Sequence, residues 1–346
     1  MDPEIISLGP NAAELVFHNE NGETIGQILT FNSRSKILNK HGVQDKETFE
    51  NTSSAIGRIF VSFNEPGKVE PVWFCGTGFR VKNDLVMTAA HVIAYPVDTN
   101  APKETQEMQR NLKFHKIYIF FGTDATMDME INLSNIDNDE RIFELVTYPY
   151  TIPSNHVPSL IVTGDNDQRY RWDTPNDLAI LRFSGTIPTN TNILFPMIPE
   201  PNNQIITEID HYVMGYPGHI ELKRFVSDYG GVINDTVLSL YSNVNKESCG
   251  FQKKTVCVGK VTRYIDNILS HRCPTLRGSS GGIIASSQHE RKFVGVHLGG
   301  TQETGNVALS VTHPLFWHVY SNYILDDQFI QDNAQHLQSY INHFQS

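Results

Sequence analysis

A succession of short β-type runs constrains the fold of this chain more than any other feature. Between about residue 13 and residue 312, segments rich in β-branched and aromatic residues alternate with turn residues. The first set comprises "AIGRIFVSF", "CGTGFRV", "DLVMTAA", "KIYIFFG" and "DLAILRF", and the second comprises "HYVMGYPG", "VINDTVLSLYS", "KTVCVGKVTRYI", "GGIIAS" and "KFVGVHLGG". Strands of this length and spacing are typical of an all-β sandwich or barrel. We therefore predict an all-β fold built from two sets of strands.

Proline, asparagine and threonine are concentrated between the two sets, in "TIPTNTNILFPMIPEPNNQ", and this composition predicts an interdomain linker. We expect a first β domain at 51–190, with long polar loops inserted between about 98 and 165, and a second at 191–312. Residues 1–50 form an N-terminal extension with a predicted hairpin, because Asn21-Gly22 is a turn pair that tolerates positive φ. The sequence leaves open whether this extension is a pro-segment, a regulatory flap or an additional hairpin.

Helical periodicity is found only near the C-terminus, in residues 313–346. Asp327 is a suitable N-cap, and apolar residues then recur at helical spacing at Ile330, Ala334, Leu337, Ile341 and Phe344. We predict a C-terminal amphipathic helix that packs its apolar face onto the body of the protein.

Charge and hydropathy exclude two classes of partner. The formal net charge is -11, and no concentrated basic face is evident, so we expect no nucleic acid partner. No apolar run approaches the roughly 18 residues that span a bilayer, so we expect no membrane insertion. The N-terminus "MDPEIISLGPNAAELVF" has neither a basic leader nor an apolar core, which favours a cytoplasmic over a secreted protein. No pattern indicates an oligomeric state.

Four cysteines are too few to stabilise a fold of this length by disulfide bonds, so its stability must come from packing. Cys249 and Cys257 flank "GFQKKTV" and could face each other across a hairpin as a disulfide. The alternatives are free thiols and a zinc site that adds His271 and Cys273, although the spacing fits no compact metal-ligand pattern. We expect no metal and no cofactor.

The stretch "CPTLRGSSGGII" places Ser279 and Ser280 between glycines. A nucleophilic serine needs a tight turn, because its own N–H and that of the residue two positions earlier must converge on one substrate oxygen. Gly278 permits that geometry for Ser280, so we predict Ser280 as the nucleophile and the N–H groups of Gly278 and Ser280 as the oxyanion hole. A glycine-rich turn without a catalytic role is the alternative.

A base and an orienting carboxylate strengthen the case for catalysis. A serine hydroxyl is a poor nucleophile until an imidazole accepts its proton, and a carboxylate must hold the imidazole in one tautomer. His91 follows the predicted strand "LVMTAA", and Asp177 begins the predicted strand "DLAILRF". A carboxylate at the entry of an apolar strand is costly unless it is paired. We expect His91, Asp177 and Ser280 to form one site.

The blocks "TAAHV", "NDLAIL" and "GSSGG" resemble the His, Asp and Ser blocks of the chymotrypsin-like serine peptidases. This resemblance implies two six-stranded antiparallel β-barrels with the active site between them. It makes His91 the general base, Asp177 its orienter and Ser280 the nucleophile of an endopeptidase that acts on proteins or peptides. Ser279 stands where trypsin-like enzymes carry the aspartate that pairs with a freshly cut N-terminus, so that zymogen switch is expected to be absent.

The specificity pocket resembles that of the V8-type glutamyl endopeptidases and, more remotely, the viral 3C-like peptidases. Pro274 stands where trypsin-like enzymes carry the aspartate that selects Lys or Arg. Thr275 and His297 instead supply a hydroxyl and an imidazole, which both donate hydrogen bonds to an oxygen. We therefore predict cleavage after Glu, with Gln as the second choice, and we expect the backbone of Leu298, Gly299 and Gly300 to pair with the substrate as an added strand.

Two alternatives stay open. In the first, the chain is a chymotrypsin-fold peptidase with a small or apolar preference, and His297 is a structural residue of the core. In the second, the chain is a binding module that kept the three blocks and lost catalysis.

Overall fold

The computed structural model describes residues 15–18, 24–30, 51–97, 101–122, 142–150, 160–162, 170–172, 177–199, 210–216, 238, 254–265, 267–271, 273, 275, 278–286, 288–301 and 305–345. The strands are β1 Leu15–His18, β2 Thr24–Thr30, β3 Ile56–Phe63, β4 Val72–Lys82, β5 Leu85–Thr88, β6 Phe114–Phe120, β7 Ile142–Thr147, β8 Leu160–Val162, β9 Tyr170–Trp172, β10 Ala179–Phe183, β11 Phe195–Pro196, β12 Asp210–Gly215, β13 Thr255–Ile265, β14 Ile268–His271, β15 Ile283–Ser286, β16 Lys292–Phe293, β17 Gly295–Thr301 and β18 Gly305–Ser310. The helices are α1 Lys103–Asn111, α2 Pro314–Tyr323, α3 Asp327–Asp332 and α4 Ala334–Gln345, and residues 51–54 form a further helical turn.

The first barrel closes in the order β10-β5-β4-β3-β6-β7, and its neighbouring strands pair antiparallel. Ile59, Phe79 and Val86 are fully buried in it, and burial of each such side chain contributes about 1.5–3 kcal/mol. Strand β7 lies between about residues 98 and 165, where the sequence predicts the strand "KIYIFFG" and otherwise only inserted loops. It escapes sequence analysis because Leu145 is its only buried residue, so its apolar alternation is weak.

The second barrel closes in the order β13-β12-β15-β17-β18-β14, because β14 pairs back onto β13. The prediction of two six-stranded antiparallel barrels is therefore confirmed. Strands β1 and β2 pair with each other and extend this sheet through β2 and β13. The predicted turn Asn21-Gly22 lies outside the described residues, as does the predicted strand "VINDTVLSLYS" apart from Leu238, which is helical and not extended.

The described part of the predicted linker, residues 186–199, forms a strap that contacts the first barrel and then pairs beside the second. Arg80 of the first barrel donates from Nη1 to the carbonyls of Thr191 and Pro188 at 2.8 and 3.0 Å. Strand β11 of the strap then pairs in parallel with β16, which lies beside the second barrel. Burial lowers the pKa of Arg80, yet its guanidinium nitrogens are taken up by backbone carbonyls of the strap and of Asn83. The strap thus ties the two barrels together along one side.

The C-terminal segment differs in detail from the single predicted helix. Asp326, not Asp327, is the N-cap of α3, since its side chain accepts from the Phe329 N–H at 2.8 Å. The helix is interrupted at Asn333, and α4 carries the rest of the apolar stripe. The helix α2 precedes both, and its Phe316 packs edge-on against Phe293 of β16.

Helix α1 was also missed, because none of its residues is buried and its sequence carries no apolar stripe. In the described part of the chain, no helix is long and apolar enough to cross a membrane.

Candidate active site

His91 and Asp177 lie in contact at one end of the first barrel, where β5 ends and the adjacent strand β10 begins. His91 lies on a 3₁₀ turn just after β5, and Asp177 lies two residues before β10, which pairs with β5 through Ala179 and Thr88. The His91 Nδ1 lies 2.8 Å from Asp177 Oδ2, and the His91 backbone N–H donates to Asp177 Oδ1 at 2.9 Å. The Asp177 side chain is 4% exposed, whereas that of His91 is 34% exposed. The carboxylate is thus enclosed while the imidazole reaches the surface of the cleft.

These contacts define the protonation state of the imidazole. A carboxylate only accepts, so Nδ1 must carry a proton, and in the neutral ring Nε2 keeps a free lone pair. Burial lowers the pKa of His91, but the charge of Asp177 and its hydrogen bond outweigh burial and raise that pKa above its ordinary value. The arrangement is that of a general base held in one orientation.

Ser280 lies on a glycine turn that leads into β15. Gly278 and Gly281 have φ of 99° and 82°, in the left-handed region that favours glycine. A Cβ at Gly281 would lie 2.1 Å from the Thr77 carbonyl oxygen and 3.0 Å from the Ala89 backbone nitrogen. The turn therefore presses against both β4 and the segment that carries His91.

The Ser280 hydroxyl donates to the backbone carbonyl of Leu298 at 3.0 Å. Among the described residues, no hydrogen bond joins Ser280 to His91. A bulge between His297 and Gly299 shifts the pairing of β17 with β18, and Leu298 lies at this bulge. Its carbonyl oxygen is thereby directed at the serine.

The N–H groups of Gly278 and Ser280 donate to no acceptor in the part of the chain that the structure describes. By contrast, the neighbouring N–H groups are used. Gly281 donates to the carbonyl of His297 at 2.8 Å, and Gly282 donates to the carbonyl of Ser279 at 2.9 Å. The two N–H groups that the sequence predicts as an oxyanion hole are thus available to a ligand.

His297 lies in the wall of the second barrel and belongs to a chain of hydrogen bonds. The Cys273 backbone N–H donates to His271 Nδ1 at 3.3 Å, and His271 Nε2 lies 3.2 Å from His297 Nδ1. An Nδ1 that accepts leaves the His271 proton on Nε2, from which it donates to His297 Nδ1. The proton of neutral His297 is consequently on Nε2.

Both rings of this pair are neutral. Burial, together with the nearby His91, lowers the pKa of His297 to about 3, although a hydrogen bond to the Val307 backbone carbonyl acts in the opposite direction. Burial and the neighbouring rings of His297 and His211 also hold the pKa of His271 well below its ordinary value. His297 thus stands in the wall of the predicted pocket without a positive charge, and the Val307 carbonyl is the present acceptor of its ring N–H.

His271 was considered from the sequence only as a zinc ligand, and its link to His297 was missed. Both of its ring nitrogens are occupied by hydrogen bonds, which leaves neither for a metal. Within the described residues, no group of three or more His, Cys, Asp or Glu side chains could hold a metal ion. Cys249, which the disulfide and zinc alternatives both require, lies outside those residues.

The remaining pocket residues are placed as follows. Thr275 is half-buried, and its N–H donates to the Cys273 carbonyl at 2.8 Å, on the segment that also holds His271. Gly299 and Gly300 continue β17 opposite Val307 and Asn306. Pro274 lies outside the described residues.

Two six-stranded barrels with a histidine–carboxylate pair and a glycine-flanked serine where they meet define a peptidase fold of the chymotrypsin-like class. Residues 76–296 match the family described as the trypsin-like peptidase domain. Because the match covers more than half of the chain, the protein belongs to the trypsin-like peptidase family.

Similar solved structures include the Rv3671c protease from M. tuberculosis in its active form, at 14% identity and a TM-score of 0.44, over 94% of this chain and 95% of that one. A Glu endopeptidase in complex with MPD matches at 14% identity and a TM-score of 0.42, over 80% of this chain and 93% of that one. Comparison with curated proteins found no match.

Proposed function

We propose that this protein is a serine endopeptidase that uses Ser280 as its nucleophile, His91 as its general base and Asp177 as the orienter of His91. The observation that carries the proposal is the pairing of His91 Nδ1 with the enclosed Asp177 carboxylate at 2.8 Å. That contact leaves Nε2 as an acceptor, and the glycine turn that carries Ser280 and its available N–H group packs against the segment that holds His91.

The reaction follows from these groups. Ser280 Oγ attacks the carbonyl carbon of the scissile peptide while its proton moves to His91 Nε2. The N–H groups of Gly278 and Ser280 stabilise the negative oxygen that forms. The C–N bond then breaks, and the leaving amine takes the proton from His91. Water repeats the sequence on the acyl-enzyme, which releases the acid and restores Ser280.

Substrate binding prepares the serine for this reaction. In the free protein the Ser280 hydroxyl donates to the Leu298 carbonyl. If a peptide pairs with β17, the N–H of its P1 residue, the residue before the cut bond, donates to that same carbonyl. Rotation about the Cα–Cβ bond of Ser280 then turns the hydroxyl toward His91. The bound peptide therefore moves the Ser280 hydroxyl from its contact with the Leu298 carbonyl to one with His91.

The P1 side chain is Gln or Glu, and the neutral pocket favours Gln. The one N–H of His297, on Nε2, donates to the oxygen of a carboxamide or carboxylate when that oxygen replaces the Val307 carbonyl as its acceptor. A Glu carboxylate buried against uncharged rings loses its hydration without gaining a counter-ion, and this loss is costly. A Gln carboxamide carries no such penalty.

A fluorophosphonate probe tests the catalytic proposal. We expect covalent labelling of the wild-type protein and of Ser279→Ala, and none of Ser280→Ala. Ser279 is a matched control because it is the neighbour of Ser280 and its buried hydroxyl has no hydrogen-bond partner among the described residues, so its loss costs little. Absence of labelling in the wild-type protein would favour the binding-module alternative.

A peptide library tests the pocket. We expect cleavage after Gln and Glu, and a selective loss of Gln cleavage relative to Ala cleavage in His297→Ala and in His271→Leu. The second variant removes the donor that fixes the His297 proton on Nε2. Equal losses for all P1 residues would make both histidines structural, and cleavage after Lys or without preference would end the pocket proposal.

A further inference from the structure

Thr77 of β4 contacts the carbonyl groups of both residues that supply the proposed oxyanion hole. Its backbone N–H donates to the Ser280 carbonyl at 2.9 Å, and its hydroxyl donates to the Gly278 carbonyl at 2.8 Å. These hydrogen bonds run from the first barrel to the nucleophile turn of the second. One residue thus holds the turn at two points.

The orientation of the Thr77 hydroxyl is fixed by its other partner. The Tyr216 backbone N–H donates to Thr77 Oγ1 at 2.9 Å, so the hydroxyl proton is directed to Gly278. On the other side, the Thr88 hydroxyl donates to the Thr77 carbonyl at 2.7 Å. Thr77 and Thr88 are both 0% exposed, so water does not compete for these bonds.

We propose that Thr77 is a positioning residue that sets the oxyanion hole from the opposite barrel, an inference that rests on the proposed function. The carbonyl of Gly278 belongs to the peptide group that precedes Ser279, and the carbonyl of Ser280 belongs to the one that precedes Gly281. The peptide that carries the Ser280 N–H lies between these two fixed groups. With both carbonyls turned toward Thr77, the peptide that carries the Ser280 N–H is held from both sides and Gly278 is fixed at its carbonyl, while neither N–H has an acceptor among the described residues.

The test compares Thr77→Val with Thr77→Ser. Valine keeps the shape and the backbone N–H but cannot donate to Gly278, whereas serine keeps the hydroxyl. We expect kcat per titrated active site to fall about 10- to 100-fold in Thr77→Val with little change in KM, somewhat less than the effect of deleting an oxyanion donor itself. Thr77→Ser is expected to stay within about threefold of the wild type, because it restores the donor.

A transition-state readout separates positioning from folding. A peptide boronate, which places an oxygen in the oxyanion hole, should bind Thr77→Val more weakly by the same factor as kcat falls. A non-covalent product peptide should bind both proteins equally. Thr52→Val is the matched control, since Thr52 is 1% exposed and its hydroxyl accepts from the Arg291 N–H at 2.9 Å, on a segment that holds none of the proposed site residues. Its melting temperature should fall while kcat per site stays unchanged.

The outcomes are distinct. A Thr77→Val protein with a lower melting temperature but unchanged kcat per site and unchanged boronate affinity would overturn this inference and leave the proposed function intact. An equal loss in Thr77→Ser would also overturn it. A wild-type protein that neither reacts with the fluorophosphonate nor cleaves peptides would overturn both proposals.

Discussion

Both carboxylate oxygens of Asp177 accept from His91, Oδ1 from the backbone N–H at 2.9 Å and Oδ2 from the ring Nδ1 at 2.8 Å. The side chain of Asp177 therefore fixes the position of the turn and the orientation of the ring together. An amide at this position cannot serve both donors, because its nitrogen accepts from neither.

Asp177→Asn should consequently lower kcat by about 10⁴-fold, the size found for this exchange at an established triad. The amide nitrogen would donate to Nδ1, move the ring proton to Nε2 and remove the base. Asp84→Asn is the control, since Asp84 is an acid near β5 whose partner is Arg182 at 3.2 Å. Titrated active sites and thermal melting check that both variants are folded. A kcat within tenfold of the wild type would contradict the assigned role of Asp177.

Asp177 also sets the pH dependence of the rate. Burial lowers the pKa of His91, but the charge and hydrogen bond of Asp177 raise it overall, above its usual value of about 6.5. Because only neutral His91 accepts a proton, kcat/KM should rise with pH and reach half its plateau above about pH 6.5. A pH–rate profile with a Gln peptide measures this midpoint. A wild-type midpoint below that value would show that the pKa of His91 is governed by burial and not by Asp177.

The Ser280 contact with Leu298 predicts that substrates must bring a P1 N–H. A depsipeptide in which an ester oxygen replaces that nitrogen cannot displace the hydroxyl from the carbonyl. Its kcat/KM should be about 10-fold lower or more, the effect of one lost hydrogen bond. The same replacement at P2 is the control, since alternate residues of an added strand face away from its partner. Equal losses at P1 and P2 would mean that the serine is not gated in this way.

The neutral pocket makes a separate prediction about Glu. If the pocket takes an uncharged oxygen, Glu peptides react through their protonated form, whose pKa is about 4.3. The ratio of kcat/KM for Glu to that for Gln should therefore rise up to tenfold for each unit that the pH falls from 7 to 5. The loss of neutral His91 cancels in this ratio. A ratio that stays constant would indicate that the ionised carboxylate is bound.

The sequence predicts those parts of the structure that depend on residues close to one another in the chain. Strands with strong apolar patterns, such as β3 and β10, were located within a few residues, and the two-barrel fold followed from the family resemblance. The weakly patterned strand β7, the exposed helix α1 and the interruption at Asn333 were missed, because surroundings and not local preference decide them. The residues expected at the site were brought to one region, while their roles stay predictions.

Other parts of the site depend on contacts that no local pattern reveals. Thr77 and Gly278 are 201 positions apart in the chain, and no sequence pattern near either residue predicts their hydrogen bond. The link between His271 and His297 likewise requires β14 and β17, which lie on either side of β18, to bring their two rings together. The orientation of the Ser280 hydroxyl is a rotamer, which residue types do not encode.

Two histidines of the site have their pKa values displaced in opposite directions, that of His91 upward and that of His297 to about 3. In an enzyme built in this way, the residue that controls the rate of turnover and the residue that selects the substrate respond differently to pH. Acidification across the neutral range slows turnover through His91, yet it leaves the recognition surface of His297 unaltered. Any shift in the preferred peptide with pH, such as the one expected between Glu and Gln, then originates in the peptide's own ionisation and not in the protein.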